Sequence, residues 1–255
     1  MISMADSNKR SSTARARAAG SRRPARSSSA TGDKSRAAAQ ARLPQSDVTL
    51  TDRAYAELEE LIVTLQLPPG TALSELVLAK RLDIGRTPIR EALQRLSRDG
   101  LVNILARRGV LVSEIDLRAQ LRLLEVRREL ERLMARGAAE RATNEQRAQF
   151  AEIATGMRRA AEKSDDLLFM RLDHQFNTLV SAASRNEFAS RAMGLMHGLS
   201  RRFWYQHYKE AADLPLAARL HADVAEAIAE RRVDAAGAAS DSLIDYIESF
   251  ARSTL

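Results

Sequence analysis

Arg86, Thr87 and Arg90 are the residues whose types and spacing first suggest chemistry. Two guanidinium groups four residues apart share one face of a helix, and a hydroxyl stands beside them. An arginine fork hydrogen-bonds guanine O6 and N7 together, while a threonine hydroxyl and the free N–H groups of a first helical turn hold a phosphate. That is recognition chemistry, not bond making. The neighbourhood is basic as well: residues 80–108 include Lys80, Arg107 and Arg108 and carry eight Lys/Arg against Asp83, Glu91 and Asp99. The competing reading is a solvated arginine face salt-bridged to Glu91 and Asp99. Cysteine is absent from the 255 residues, which excludes disulfides, thiolate catalysis and Cys-ligated zinc or iron–sulfur centres.

The elements that would position these side chains are helical. Alanine, leucine, arginine and glutamate dominate while aromatics are 4%, a mixture that loses little entropy in helices. Thr51-Asp52 before Ala54, Leu58, Leu61, Ile62 and Leu65 reads as a capped amphipathic helix, stopped by Pro68-Pro69-Gly70. Ser74 caps a second helix to about Leu82. A third runs from about Thr87 to Asp99, with Pro88 in its first turn and Gly100 ending it. The apolar runs Val102–Leu105 and Val110–Val112, joined by Ala106-Arg107-Arg108-Gly109, read as a hairpin. Three helices and a hairpin are the order of a winged helix-turn-helix, with Arg86, Thr87 and Arg90 at the end of the helix that enters the major groove.

From Asp116 onward the periodicity is helical, with helices expected at about 117–141, 144–163, 165–184, 186–208, 214–231 and 234–253. Asp116, Thr143, Ser164 and Asp213 stand at plausible starts. The expected fold is mainly α: an N-terminal winged helix-turn-helix with a two-stranded wing over 47–115, then an antiparallel helical bundle over 116–255. The bundle carries 21 basic and 21 acidic residues, so it reads as a ligand-binding and oligomerising part, not a second DNA reader. The net charge of +7 belongs instead to the N-terminal segment, where residues 1–42 hold ten Lys/Arg against Asp6 and Asp33. Residues 1–46 read as a disordered basic tail: a solubilising segment, an arm attracted to DNA through counterion release, or an Arg-rich targeting peptide. No apolar run approaches the length of a membrane span, and a cytoplasmic protein without membrane partners is expected.

The stretch Tyr55–Val112 resembles the GntR-type winged helix. It has Leu-Pro-Pro-Gly at 67–70, Leu73-Ser74-Glu75, Gly85-Arg86-Thr87-Pro88-Ile89-Arg90-Glu91-Ala92-Leu93, Asp99-Gly100-Leu101-Val102 and Arg108-Gly109. The resemblance implies that Arg86, Thr87 and Arg90 contact operator DNA, with Gly109 in the wing. Gly85 departs from the pattern, since the family usually has Ser or Thr there, and a hydroxyl contact to phosphate is lost.

Residues 117–250 resemble the all-helical effector domain, the FCD domain, of the FadR subfamily. The resemblance rests on Glu125-Val126-Arg127-Arg128-Glu129-Leu130-Glu131, Asp173-His174-Gln175-Phe176 with Asn186 downstream, and His221 with Ala227-Ile228. In many members an Asp and three His bind a divalent metal that, with an Arg, holds a small carboxylate. Carried over, the Asp is Asp173, the first His position is Asn177, the second is His221 and the third falls near Leu243. A divalent metal such as zinc would draw on Asp173 and His221 alone, with His197 as a substitute donor, and this ligand set is short. The pocket expected without metal uses Arg127, Asp173, Asn177 and His221 to bind a small anionic metabolite. A salt bridge to Glu131 is the other reading of Arg127. Arg201-Arg202-Phe203-Trp204-Tyr205 reads as core or dimer packing.

These features imply a non-enzymatic, ligand-responsive regulator, a repressor of a metabolic operon, acting as a homodimer on a pseudo-palindromic operator because one short helix reads too few bases. A sequence-independent DNA-packaging protein driven by the basic tail is the alternative. The two differ in a gel-shift titration at fixed salt. Packaging predicts binding that survives loss of the 80–108 contacts and vanishes when residues 1–42 are deleted. For the regulator, that deletion leaves sequence preference in place.

Overall fold

Thr49 starts the first helix. The computed structural model describes residues 48–107 and 109–254; the tail expected at 1–46 and Arg108 lie outside the described residues. The Thr49 hydroxyl accepts from the Asp52 N–H at 3.1 Å and the Asp52 carboxylate takes the Thr49 N–H in return, a capping box that opens α1 (Leu50–Val63). The cap expected at Thr51 is therefore two residues too late. Thr51 lies inside the helix and donates its hydroxyl to Glu91 at 2.7 Å.

Next come β1 (Ala72–Leu73), α2 (Glu75–Leu82), α3 (Arg86–Arg98), β2 (Val102–Leu105) and β3 (Gly109–Val112). The wing strands β2 and β3 pair antiparallel as expected, with Gly109 opening β3 opposite Leu105. A third strand is added: β1 pairs with the other edge of β3, giving the order β1-β3-β2. Two residues between a turn and a cap show no alternation, so nothing in the sequence marked β1. Leu58, Ile62, Ile89, Leu93, Leu96 and Leu101 form the buried centre of this part.

The six remaining helices follow the expected periodicity closely: α4 (Leu117–Arg141), α5 (Asn144–Lys163), α6 (Asp166–Ser184), α7 (Glu187–Ala211), α8 (Leu214–Ala229) and α9 (Val233–Arg252). Side chains of Asp116, Thr143, Asp165, Asn186 and Asp213 cap five of them. Ser164, expected to cap α6, instead closes α5 in the left-handed region (φ 49°), and Asp165 takes the cap. α5 packs on α8, and α4 packs on both α9 and α6. Their interfaces are built from Phe150, Met157 and Ile228 among fully buried alanines such as Ala138, Ala183, Ala222 and Ala225, whose small side chains let helix axes approach.

The chain from Val48 onward is one compact unit, and α7 is what makes it so. Leu199 of α7 packs into the winged-helix core. Gly198 permits that contact, because a Cβ there would lie 2.7 Å from Leu101 Cδ1. Arg202 is 2% exposed and donates to the carbonyls of Ser113 at 2.9 Å and Glu114 at 3.1 Å, in the segment between β3 and α4. Arg201 pairs with Glu60 of α1 at 3.0 Å.

Replacing Arg202 with Met keeps the apolar stem and deletes both charge-assisted hydrogen bonds. The expected loss in urea denaturation is about 2–3 kcal/mol. A loss below about 0.5 kcal/mol, the range of ordinary surface changes, would show that the junction does not depend on this side chain.

Candidate functional site

Two sites emerge, one on the winged helix and one in the bundle. On the winged helix, Lys80, Arg86, Thr87, Arg90 and Arg107 are all exposed. Gly85 precedes α3 without capping its N–H groups by a side chain, so the first turn keeps its donors for an outside acceptor. Arg107 lies in the wing turn with a positive φ of 62°, and Gly109 follows at 91°.

Among the described residues the arginines do not pair with Glu91 and Asp99. Glu91 accepts from Thr51, and Asp99 accepts from the Tyr55 hydroxyl at 2.8 Å. The partner is Glu75, in the first turn of α2. Arg90 grips it with two hydrogen bonds, Nε to Oε1 at 2.9 Å and Nη2 to Oε2 at 2.8 Å, and Arg86 Nη2 lies 3.7 Å from the same Oε2. The Arg90 hydrogen bonds hold the Glu75 carboxyl below its ordinary range, against a small opposing effect of burial. Arg95, by contrast, is engaged inside the fold, bonded to Asp52 at 3.1 Å with its guanidinium 4.0 Å from the Tyr55 ring centroid.

In the bundle, a cavity of about 860 Å³ is lined by Arg127 from α4, Asp173 and Asn177 from α6 and His221 from α8. Four residues spread over 95 positions of sequence thus come together. The arrangement is closely paired. His221 is buried between two acceptors, with Nδ1 2.8 Å from the Ala217 carbonyl and Nε2 3.1 Å from Asp173 Oδ1. The Asn177 amide donates to the same carboxylate oxygen at 3.0 Å. Arg127 Nε donates to Glu131 at 2.5 Å, so the salt bridge and the cavity position hold together instead of excluding each other.

Burial opposes charge on His221, but the Asp173 hydrogen bond and charge, with the Ala217 carbonyl, outweigh it and hold the imidazole above its usual range. Burial also opposes the Asp173 carboxylate, and the hydrogen bond and charge of His221, helped by His197 and Arg127, keep it below its usual range. Linkage then gives the pH window. The histidine's contribution to stability is complete below the ordinary imidazole pKa and is lost as pH rises through the raised His221 value. The aspartate's contribution is complete above the ordinary carboxyl pKa and is lost as pH falls through the lowered Asp173 value.

A divalent metal does not suit this donor set. Asp173 and His221 satisfy each other, Asn177 turns its amide N–H to Asp173, and Leu243 presents a buried alkyl group at the remaining position. Among the described residues no three His, Cys, Asp or Glu are grouped to hold an ion.

Several lining residues carried no signal in the sequence. Gln120 of α4 is 6% exposed, and its amide makes no hydrogen bond among the described residues. His197, also on the wall, was visible in the sequence only as a substitute donor. Trp204 packs on Phe250 at 4.7 Å and also lines the cavity. The least expected wall is α1 itself, which contributes Ala56, Glu59, Glu60 and Val63. The cavity therefore touches the winged helix directly.

Imidazole NMR titration of the full chain checks the ion pair. His221 is expected to remain protonated above the ordinary histidine range, and Asp173→Asn to lower its pKa, because burial is then opposed only by the Ala217 carbonyl and the Glu131 charge. An unchanged His221 titration in the variant would refute the assignment.

Residues 50–112 match the model of the gntR family of bacterial regulatory proteins, and residues 122–246 match the FCD domain. The HTH-type transcriptional repressor RspR of Escherichia coli is 30% identical over 182 residues, spanning 71% of this chain and 79% of its own. The Nta operon transcriptional regulator of Aminobacter aminovorans is 26% identical over 174 residues, spanning 68% of this chain and 81% of its own. The structure of E. coli McbR/YncC superposes with a TM-score of 0.70 at 20% identity, covering 81% of this chain and 99% of that one, which shows a shared fold. Among the described residues no helix is long and apolar enough to cross a membrane. With a winged helix that leaves Arg86 and Arg90 exposed and a helical domain built around a cavity, this chain belongs to the gntR family of transcriptional regulators and carries an FCD effector domain.

Proposed function

We propose that the protein is a cytoplasmic, metabolite-responsive repressor that binds a pseudo-palindromic operator as a homodimer and is released by a small carboxylate. The observation that carries this reading is the exposed trio Arg86, Thr87 and Arg90 on a fold whose ligand cavity is walled by α1 of the same winged helix. Arg86 and Arg90 read base edges and the first turn of α3 takes a phosphate. Lys80 and the wing arginines Arg107 and Arg108 add backbone contacts. Glu75 holds Arg90 extended between encounters; the pair is exposed and weak, so DNA can take over the guanidinium at little cost.

The effector carboxylate binds the terminal amino groups of Arg127, with Asn177, Asp173 and His221 completing the polar end of the cavity. A ligand there presses on α1 and on α7, which reaches into the winged-helix core through Leu199. It shifts the dimer away from its DNA-competent spacing by its difference in affinity for the two states. RspR, named a repressor, supports the sign of the regulation.

Arg90→Ala tests the reading at the DNA. Fluorescence anisotropy with the operator is expected to show a loss of about 1–3 kcal/mol, with a smaller loss on random duplex. Equal losses on both would overturn base readout by this arginine.

A further inference from the structure

The family resemblance alone leaves the effector as any small acid. The cavity is more particular. Its volume of about 860 Å³ lies toward the upper end of the range for ligand pockets, so a three- or four-carbon acid would leave most of it to water. One part of its wall is a cluster of aromatic rings. Phe169 and Phe176 stand edge-on to the His221 ring at 5.5 and 5.6 Å, and Trp204 lies 6.3 Å from Phe169. Leu243, where the resemblance would have a metal-binding histidine, adds another apolar surface.

The charges around this space pair off. Arg127 faces Glu131, His221 faces Asp173, and Arg201 is committed to Glu60. Among the described residues both terminal amino groups of Arg127 lack a hydrogen bond, whereas Arg201 commits Nη2 to Glu60. At the α1 end stands Glu59, partly buried and 3.1 Å from where a Cβ of Gly198 would be. Burial pushes its carboxyl up, which marks a place hostile to a second anion and receptive to a hydrogen-bond donor. One carboxylate is therefore anchored at Arg127, and a second reaching the α1 end would meet Glu59 and the Glu60 carboxylate that Arg201 already pairs with.

We infer that the effector is a monocarboxylic acid carrying an aromatic ring a short distance from the carboxylate, and not a dicarboxylate or a small hydroxy acid. This rests on the reading of Arg127 as the carboxylate anchor. The ring lies among Phe169, Phe176 and Trp204, where edge-to-face contacts add to the burial of its surface. The unpartnered Gln120 amide and the Glu59 carboxylate take a ring hydroxyl or similar donor at the far end. Binding along that length places the ring between the bundle and α1.

Isothermal titration of the full-length protein with phenylacetate, phenylacetamide, succinate and lactate tests this, with EDTA present throughout. Phenylacetate is expected to bind at least about tenfold more tightly than succinate or lactate, and about tenfold more tightly than its amide. Trp204→Leu should weaken phenylacetate about tenfold while Trp204→Phe retains it, which separates a lost ring contact from a lost fold. Arg127→Met should erase the preference for acid over amide. Tighter binding of succinate or lactate overturns the aromatic class and leaves the Arg127 anchor standing. Equal binding of acid and amide, or no effect of Arg127→Met, overturns the anchor itself. No binding of phenylacetate at millimolar concentration overturns the class.

Discussion

The buried guanidinium of Arg202 is the contact on which the two halves of the molecule depend. It projects from the middle of α7 and donates to the carbonyls of Ser113 and Glu114, with the Glu114 charge nearby favouring the cation. Burial lowers its pKa, yet an arginine stays charged, so the cost of desolvation must be met by those carbonyls in fixed positions. Fixing them fixes where the chain leaves β3 and enters α4. The same turns of α7 carry Gly198 against Leu101 and Leu199 into the winged-helix core. One helix thus belongs to two cores, and a change felt along it is felt in both.

That arrangement explains how a cavity in the bundle can influence a DNA-reading surface without a long chain of intermediates. The wall formed by Ala56, Glu59, Glu60 and Val63 is the rear of the helix that packs on α3. A packed core does not deform continuously, so a ligand seated there favours one of a few discrete arrangements. Glu75 satisfies Arg90 with good geometry from a half-buried position while Arg90 itself stays exposed, so the contact orients the fork at the start of α3.

The interior of the bundle answers a different electrostatic problem. The polar end of the cavity is a neutralised set, with Asn177 and Leu243 standing where the FCD resemblance implies metal-binding histidines. His221 is charged because both of its nitrogens face acceptors, and Asp173 is charged because His221 and Asn177 both donate to it. Removing Asp173 would favour the neutral imidazole, and removing His221 would leave the carboxylate opposed by burial with only Asn177 donating to it, so each ion depends on the other. What remains for a ligand is the open edge of Arg127 and a large aromatic surface.

How much of this was legible beforehand differs by element. The helices from Asp116 onward were readable to within a few residues because their apolar spacing repeats over many turns, and the Arg-Thr-Pro-x-Arg run marked the start of α3 because its members lie within five residues. The reading failed where the deciding interaction was short or distant. β1 is two residues long, and the α1 cap depended on Thr49 and Asp52 closing on each other, not on Thr51. Glu75 as the partner of Arg90, α1 as a wall of the cavity, and Trp204 facing inward were decided only when the helices packed. Sequence by itself determined which residues repeat on one helix face, since that follows from local geometry. Which face of one helix meets which face of another depends on side chains up to 141 positions apart, such as Arg201 and Glu60, and only the tertiary structure brought them together.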